Sequence, residues 1–288
     1  MDRRPRFYGV VQLPSDDEAV QNERSMEAKR IARLEHHTAP ALHELAPPAS
    51  LSSFIDRFWR ASVPENGPFH EFVIIPDGCV DVVYEHIGTQ ARCIIFGTYS
   101  ETRPFRINPD ATYLGIRFRP GMARHLVDLS PGELADRHLE VPSFLGLGPE
   151  QVAEAATFPA QSELLAQVVA RALHHQNAAP TALDRAIEYV QQTRSMWHVT
   201  GLADLCGISQ RQMERRVKAV TGLSPKLLMR ILRVQTAIST MQTAPEIRLI
   251  ELAGDLGYSD QAHMNREFRL LTGHTPFEYR TALIQHAR

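Results

Sequence analysis

Two segments near the C-terminus carry basic and amide side chains at helical spacing. The first places three cations on one face of a predicted helix: Arg211, Arg215 and Lys218. Its flanks hold Gln212, Glu214 and Arg216. In the second segment the outward cation is Arg266, with the neighbours Gln261, His263 and Asn265. Arginine, glutamine and asparagine have the paired donors and acceptors that match guanine and adenine edges in the major groove, so both faces are predicted to contact bases.

A duplicated unit would hold these two faces in place. The first copy runs from Leu202-Ala203-x3-Gly207-Ile208-Ser209 to Thr221-Gly222-x-Ser224-Pro225. The second runs from Leu252-Ala253-x3-Gly257-Tyr258-Ser259 to Thr272-Gly273-x-Thr275-Pro276. The copies are 50 residues apart at Leu202 and Leu252 and 51 apart at Pro225 and Pro276, which predicts one extra residue inside the second helix of the later copy. A repeat of two short helices around a glycine turn indicates paired helix-turn-helices.

Helix boundaries repeat together with the charged faces. Ser209 and Ser259 stand where a side-chain oxygen caps the second helix of each copy, and phosphate groups are expected near these two helix starts. Between the copies, apolar residues at three- and four-residue intervals from Pro225 to about Thr243 predict one connecting helix. This connecting helix would therefore join the two helices that carry the charged faces.

For one charged helix, a solvated face is the simpler interpretation. Two charged faces at equivalent positions of one repeat favour binding to a shared ligand. The doubled motif resembles the DNA-binding domain of the AraC/XylS family of bacterial transcription regulators, over residues from about 180 to 288. That resemblance implies seven helices, with two recognition helices in successive major-groove segments roughly 34 to 36 Å apart. By motif, the base-reading positions would be Arg211, Gln212, Glu214, Arg215, Gln261, Ala262, His263, Asn265 and Arg266. The chain departs from the family pattern at Arg216, usually apolar, and at Val217, usually aromatic.

Charge is divided unevenly along the chain. From Pro180 onward there are 14 Lys+Arg and 10 Asp+Glu, whereas the preceding residues carry 17 and 23, within a net charge of -2 over 288 residues. A basic rear region beside an acidic front region suits a phosphate-binding partner at one end. With 43% hydrophobic residues the chain is expected to form about two domains. It shows neither a secretory leader nor a long apolar run, so a cytoplasmic location is the expectation.

The front half has a different pattern. Short strands separated by turn signals are predicted at 54–61, 71–75, 79–84, 92–99, 105–107 and 113–119, with Pro76-Asp77-Gly78 as a hairpin-like turn. Helical segments follow near 122–129, 131–137, 150–155 and 161–176. The expected fold class is α+β. A small antiparallel β-barrel with helices would precede an all-α domain with two helix-turn-helix motifs joined by a long helix.

Three front-half motifs resemble a subgroup of cupin-like sensor domains found ahead of this DNA-binding module. They are Phe58-Trp59-Arg60, Pro76-Asp77-Gly78-Cys79-Val80-Asp81 and Gly115-Ile116-Arg117-Phe118-Arg119-Pro120-Gly121. The expected domains are an N-terminal extension at 1–40, partly helical near 23–35, a cupin-like sensor or dimerisation domain at 41–173, a linker at 174–180 and the DNA-binding domain at 181–288. An effector pocket would be lined by Trp59, Tyr84, Arg117 and Arg119. Arg117 and Arg119 alternate along one predicted strand and would share a face: if that face points into the barrel they could hold an anionic effector, and if it points outward they are surface charges or salt-bridge partners.

The front half of the sequence gives little indication of a metal site or of cysteine redox chemistry. His70, Glu71, Asp77, Asp81 and His86 lack the paired histidines of a cupin metal site, so no metal and no cofactor are expected, and Asp77 is expected to cap its own turn. Cys79 and Cys93 could face each other as a thiol switch, or be small apolar residues.

The sequence thus favours a DNA-binding transcription regulator with no catalytic residues. Its expected partners are double-stranded promoter DNA, a small-molecule effector, a second copy of the chain, and RNA polymerase if the protein is an activator. Two alternatives remain open at this point. One is a DNA-binding scaffold without an effector; the other is a regulator resembling the DNA-repair methyltransferases, which would need an activated cysteine and a cysteine-rich zinc site.

Overall fold

Two antiparallel sheets form the N-terminal part of the computed structural model. The structure describes residues 10–13, 41–62, 70–108, 110–193 and 198–286. Its strands are β1 (Val10–Leu13), β2 (Ala41–Leu45), β3 (Ile55–Ser62), β4 (His70–Ile74), β5 (Val80–Ile87), β6 (Gln90–Phe96), β7 (Arg103–Ile107), β8 (Ala111–Phe118) and β9 (His138–Val141). One sheet has the order β1-β4-β7 and the other β2-β3-β8-β5-β6-β9. The predicted helix at 23–35 lies outside the described residues.

The turn at Pro76-Asp77-Gly78 was predicted to close a hairpin, and this prediction is wrong. The turn follows β4 in the three-stranded sheet and leads to β5, whose partners β6 and β8 lie in the six-stranded sheet. It therefore connects the two sheets. The local prediction for Asp77 is confirmed, because its Oδ1 accepts the Cys79 backbone N–H at 2.8 Å.

The described residues also form ten α-helices. They are α1 (Pro131–Leu134), α2 (Pro149–Glu154), α3 (Phe158–His175), α4 (Ala182–Thr193), α5 (Val199–Cys206), α6 (Gln210–Thr221), α7 (Pro225–Thr243), α8 (Leu249–Asp255), α9 (Gln261–Thr272) and α10 (Pro276–His286). A short 3-10 helix at Met122–His125 follows β8. The predicted connecting helix is confirmed as α7, whose start is capped by the Ser224 hydroxyl. An N-terminal antiparallel region and a C-terminal helical region are both present.

The extra residue of the second repeat lies in a different place from the one predicted. Helices α6 and α9 have 12 residues each, and both end at an equivalent threonine, Thr221 or Thr272, followed by a glycine with positive φ. The added residue therefore precedes α9. As a result Asp260, and not Ser259, caps α9, with its side chain accepting the His263 backbone N–H at 2.6 Å. Through both helices, equivalent residues are 51 apart.

One hydrophobic core crosses from the helical region into the sheets. The core of α4 to α10 is built on residues that the repeat predicted to face inward, including Met213, Val217, Met264 and Phe268, all with 0% exposure. Val73 of β4 and Ile75 after it belong to that same cluster. A second core lies between the six-stranded sheet and α3, with Ile116 and Leu165 among its members. The helical region is thus packed directly on the N-terminal domain.

Candidate nucleic-acid interface

The outward face of α6 is a short basic surface. Met213 and Val217 fix the rotation of the helix because both are fully buried, which leaves the opposite face in solvent. The side chains exposed there are Arg211, Gln212, Glu214, Arg215, Arg216 and Lys218. Arg211 and Arg215 are four residues apart and lie on one stripe. This face can present guanidinium groups to a phosphate backbone or to base edges.

The start of α6 is held by a reciprocal pair of hydrogen bonds. The Ser209 hydroxyl accepts the Gln212 backbone N–H at 3.3 Å, and the Gln212 side-chain oxygen accepts the Ser209 backbone N–H at 3.0 Å. This is a capping box, which satisfies two of the N–H groups that a helix start leaves unpaired. Part of the Gln212 amide is therefore used within the protein.

The outward face of α9 is smaller and less charged. Ala262 and Arg266 are exposed, whereas Gln261, His263 and Asn265 are half-buried. His263 stacks edge-on against Tyr258 with ring centroids 5.3 Å apart, and its Nδ1 lies 3.2 Å from the Ser259 hydroxyl. Arg266 is the counterpart of Arg215 in the 51-residue register, so each helix presents a cation at the same position.

The two helices differ at the next position. Arg216 of α6 is exposed, whereas its counterpart in α9, Glu267, is 9% exposed and lies in a polar cluster. Glu267 accepts hydrogen bonds from the Tyr258 hydroxyl at 3.0 Å and from the Arg230 Nε at 3.0 Å. The Arg233 guanidinium lies 4.8 Å from the centre of the Tyr258 ring. This cluster ties α9 to α7, and burial with the nearby Glu267 carboxylate raises the pKa of Tyr258 well above its usual value.

Two residues beside the predicted contact set were not singled out from the sequence. Gln210 is exposed at the first position of α6, next to the predicted set. Asp260 caps α9, and the His263 N–H bond lowers the pKa of its carboxyl below the ordinary value of 3.8, so it is ionised at neutral pH. The signal for Asp260 was the 51-residue spacing at the repeat's end, which places Asp260 opposite Ser209.

The predicted effector residues of the N-terminal domain do not share one open pocket wall. The Arg117 guanidinium bonds to Asp81 at 3.1 Å and to Asp77 at 3.0 Å, and the Trp59 indole N–H donates to Asp81 at 2.8 Å. Burial alone lowers the Arg117 pKa, but the two carboxylates outweigh it and raise that pKa well above its usual value. Arg117 is therefore already neutralised by the protein.

The other two candidates have separate partners. β8 ends at Phe118, so Arg119 lies beyond the strand on which both arginines were expected, and its Nε donates to the Ser52 carbonyl at 2.6 Å. Tyr84 has 0% exposure, and its hydroxyl donates to the Leu147 carbonyl at 3.2 Å.

The cysteines do not form the pair that was considered. Cys93 on β6 is opposite Tyr84 in the strand register, while Cys79 precedes β5 and its thiol contacts the Asp77 carbonyl at 3.8 Å. Burial raises the pKa of Cys79 well above its usual value, and burial also raises the pKa of Cys93 to about 12. Both changes oppose thiolate formation, whereas a reactive cysteine requires the reverse.

Within the described parts of the chain, no three His, Cys, Asp or Glu side chains are grouped to hold a metal ion. Over the same residues, none of the helices combines the length and apolar character needed to cross a membrane.

Comparison with known families gives one match for each region. Residues 202–282 match a family described as a helix-turn-helix domain, and residues 43–140 match a domain of unknown function, DUF6597. An uncharacterised helix-turn-helix-type transcriptional regulator of Haemophilus influenzae is 27% identical over 97 residues. That alignment covers 34% of this chain and 32% of the relative, so the match spans about a third of that protein.

The chain is also similar to parts of several solved structures. The DNA-binding domain of AdpA, a global transcriptional factor crystallised with a target DNA, is 24% identical over 37% of this chain and 96% of that chain, with a TM-score of 0.35. An AraC-type transcriptional regulator from Chromobacterium violaceum is 24% identical over 36% of this chain and 93% of that chain, with a TM-score of 0.33. ToxT from Vibrio cholerae is 11% identical over 78% of this chain and 96% of that chain, with a TM-score of 0.43.

Proposed function

We propose that this chain, a helix-turn-helix transcription regulator of the AraC family, binds two successive major-groove segments of promoter DNA through α6 and α9. It is not an enzyme. The base-reading side chains in this proposal are those named from the sequence on the two exposed faces, together with Gln210. Phosphate contacts would come from the helix starts at Ser209 and Asp260 and from the surrounding cations.

The observation that carries the proposal is the matched pair Arg215 and Arg266. The two residues are 51 apart, are exposed, and occupy the same position on two helices of equal length. Each helix is held in place by buried residues on its inner face, so the two guanidinium groups project from rigid supports. An arginine on a rigid helix can form a bidentate pair with guanine, which gives sequence preference as well as affinity.

A binding experiment tests this pair directly. The preferred DNA sequence is first selected from a random duplex pool with the parent protein, and gel-shift titrations then compare the parent with Arg215→Ala and Arg266→Ala. Each variant should bind the selected sequence more weakly by about 1 to 3 kcal/mol, because one base or phosphate contact is lost. Circular dichroism should show unchanged helix content, since both side chains are in solvent.

The matched control is Arg171→Ala, which removes an exposed arginine from α3 of the N-terminal domain. It should lower affinity by much less than the other two changes, as expected for a charge outside the proposed interface. Equal affinity of the parent and both interface variants for the selected sequence would refute the assignment of α6 and α9.

The N-terminal domain has two candidate roles in this proposal. One is control by an effector, held in a cupin-like barrel. The second is a ligand-independent scaffold or dimerisation module, which is supported by the internal partners of Arg117, Arg119 and Tyr84. Native mass spectrometry of freshly purified protein separates the roles, because a retained small molecule supports the first, whereas a monomer or dimer with no mass beyond its polypeptide chains supports the second.

A further inference from the structure

The last turn of α6 is enclosed by the N-terminal domain. The Thr98 hydroxyl donates to the Thr221 carbonyl at 2.9 Å, and both residues are buried. Thr221 ends α6, where a helix leaves its carbonyl oxygens without partners inside the helix. A side chain of the N-terminal domain therefore satisfies a terminal group of the first recognition helix.

Gly222, directly after α6, lies against the N-terminal domain with no room for a side chain. It has a φ of +76°, and a Cβ placed there would lie 2.5 Å from the Pro131 carbonyl oxygen and 3.1 Å from the Ala135 Cβ. Both neighbours lie in or beside α1 of the N-terminal domain. Gly273 holds the equivalent place after α9, with a φ of +78°, and its Cβ would meet no atom within 4 Å. The repeat thus contains one enclosed and one open copy of the same helix end.

Further contacts join the N-terminal domain to the same half of the helical region. Arg124 forms two hydrogen bonds with Asp184 near the start of α4, at 2.9 and 2.6 Å, and the Asp184 side chain has 0% exposure. The Gln235 amide on α7 donates to the Pro76 carbonyl at 2.7 Å. These bonds reach α4 and α7, and α7 packs directly against α6.

From this asymmetry we infer that the N-terminal domain positions the first recognition helix, and that Thr98 is a positioning residue for DNA reading by α6. The second recognition helix is positioned within the helical region, through the Glu267 cluster on α7. The contacts lie at the C-terminal end of α6, away from Arg211 and Arg215, so the docked domain leaves the reading face exposed. The inference rests on the proposed function. It states that the protein binds both DNA segments in the arrangement in which the N-terminal domain contacts the end of α6.

The two glycines provide a matched test. Gly222→Ala and Gly273→Ala impose similar backbone strain, because both positions have nearly the same positive φ, but only Gly222→Ala forces a methyl group onto the Pro131 carbonyl. On the selected operator, Gly222→Ala should reduce affinity by tenfold or more and Gly273→Ala by a clearly smaller factor. The penalty of Gly222→Ala should disappear on an operator whose α6 segment is scrambled. Equal penalties, or a Gly222→Ala penalty that persists on the scrambled operator, would overturn the inference.

A milder variant covers the case in which Gly222→Ala does not fold. Thr98→Val keeps the shape of the side chain but removes the bond to Thr221, and should weaken operator binding by about three- to tenfold. Thr98→Ser keeps the hydroxyl and should bind like the parent. A purely structural role of Thr98 would weaken contacts to both DNA segments alike, which would contradict the inference.

Hydrogen exchange separates this inference from the proposed function. Thr98→Val should speed amide exchange in the last turn of α6 and leave the last turn of α9 unchanged, whether or not DNA is present. If the parent selects no DNA sequence, the proposed function fails, and faster exchange confined to α6 would still show the docking. Unchanged exchange in α6 would show that Thr98 does not position the helix.

Discussion

His125 illustrates how a single half-buried ring can link stability to pH. It lies at the end of the 3-10 helix after β8, edge-on to Phe54 with ring centroids 5.8 Å apart, and its Nε2 is buried without a partner among the described residues. Burial first, and then the neighbouring Arg124 charge, lower the pKa of His125 below its ordinary value of 6.5. The folded protein therefore favours the neutral ring, whereas the unfolded chain takes up a proton more readily.

The sign of the pH effect follows from this difference. The contribution of the neutral His125 ring to the free energy of unfolding is fully present above about pH 6.5. It is lost progressively as the pH falls from 6.5 towards the lowered pKa of the folded state, because the unfolded state then binds more protons. His125→Gln should make the fall in thermal unfolding midpoint between pH 7.5 and pH 5.5 shallower. Thermal melts over that range provide the measurement. A slope equal to that of the parent would assign the acid sensitivity to other groups.

Among the elements, α6 and α9 show how one repeat can be packed in two ways. Val217 and Phe268 occupy equivalent positions, and both have 0% exposure. Phe268 also packs edge-on against Tyr279 of α10, with ring centroids 5.6 Å apart. The larger side chain fills a larger space, so the second unit depends more on this one position.

Truncation at the two positions should therefore have unequal effects. Phe268→Ala should lower the free energy of unfolding by about 3 to 5 kcal/mol, because it removes a buried aromatic ring and leaves a cavity. Val217→Ala removes only two methyl groups and should cost less. Urea denaturation of the two variants and the parent gives the comparison. A Val217→Ala cost equal to or above that of Phe268→Ala would contradict this account of the packing.

Sequence patterns predicted some elements well because those elements are specified locally. The bounds of α7 agree with the apolar stripe, since a 3.6-residue period over 19 residues leaves little ambiguity. The edge strands β2 and β9 were missed, because strands of five and four residues are too short for an alternating pattern to stand out from the surrounding sequence. The turn at Pro76 was recognised, but a turn signal does not specify the strand with which the next segment pairs. Asp260 was missed because Ser259 matched the motif one residue earlier.

The site was predictable only where it depends on a helix face. Arg211, Arg215 and Arg266 were placed outward from periodicity alone, and they are exposed. The Thr98–Thr221 bond joins residues 123 apart in the chain, and no local pattern records such a contact. The partners of Arg117 were equally hidden, because the carboxylates of Asp77 and Asp81 meet it only when β5 and β8 pair.

At the scale of the whole molecule, the shared core predicts how the two regions unfold. Val73 and Ile75 belong to the N-terminal domain by sequence but to the core of the helical region by packing, and Ile75 is 1% exposed. Because the two regions share buried side chains, we expect the parent to unfold in a single calorimetric transition, with equal calorimetric and van't Hoff enthalpies.

Ile75→Ala should lower the free energy of unfolding of the entire chain by about 2 to 5 kcal/mol, since it leaves a cavity between the regions. The single transition should shift to lower temperature without a change in the secondary structure of the folded state. Two separate transitions in the parent would show that the regions unfold independently and that the shared core contributes little.

The enclosed helix end has a consequence for protein engineering. A chimera that joins a foreign sensor domain to α4–α10 would lose Pro131 and Thr98. It would therefore lose the surface against which Gly222 packs and the hydrogen bond to the Thr221 carbonyl. Such a hybrid would retain every side chain proposed to contact bases and still lack the contacts that hold the C-terminal end of α6. Because β8 lies between β3 and β5 in the six-stranded sheet, the segment that carries Pro131 and Thr98 cannot be moved without its partner strands, so preserving these contacts requires the N-terminal domain as a unit.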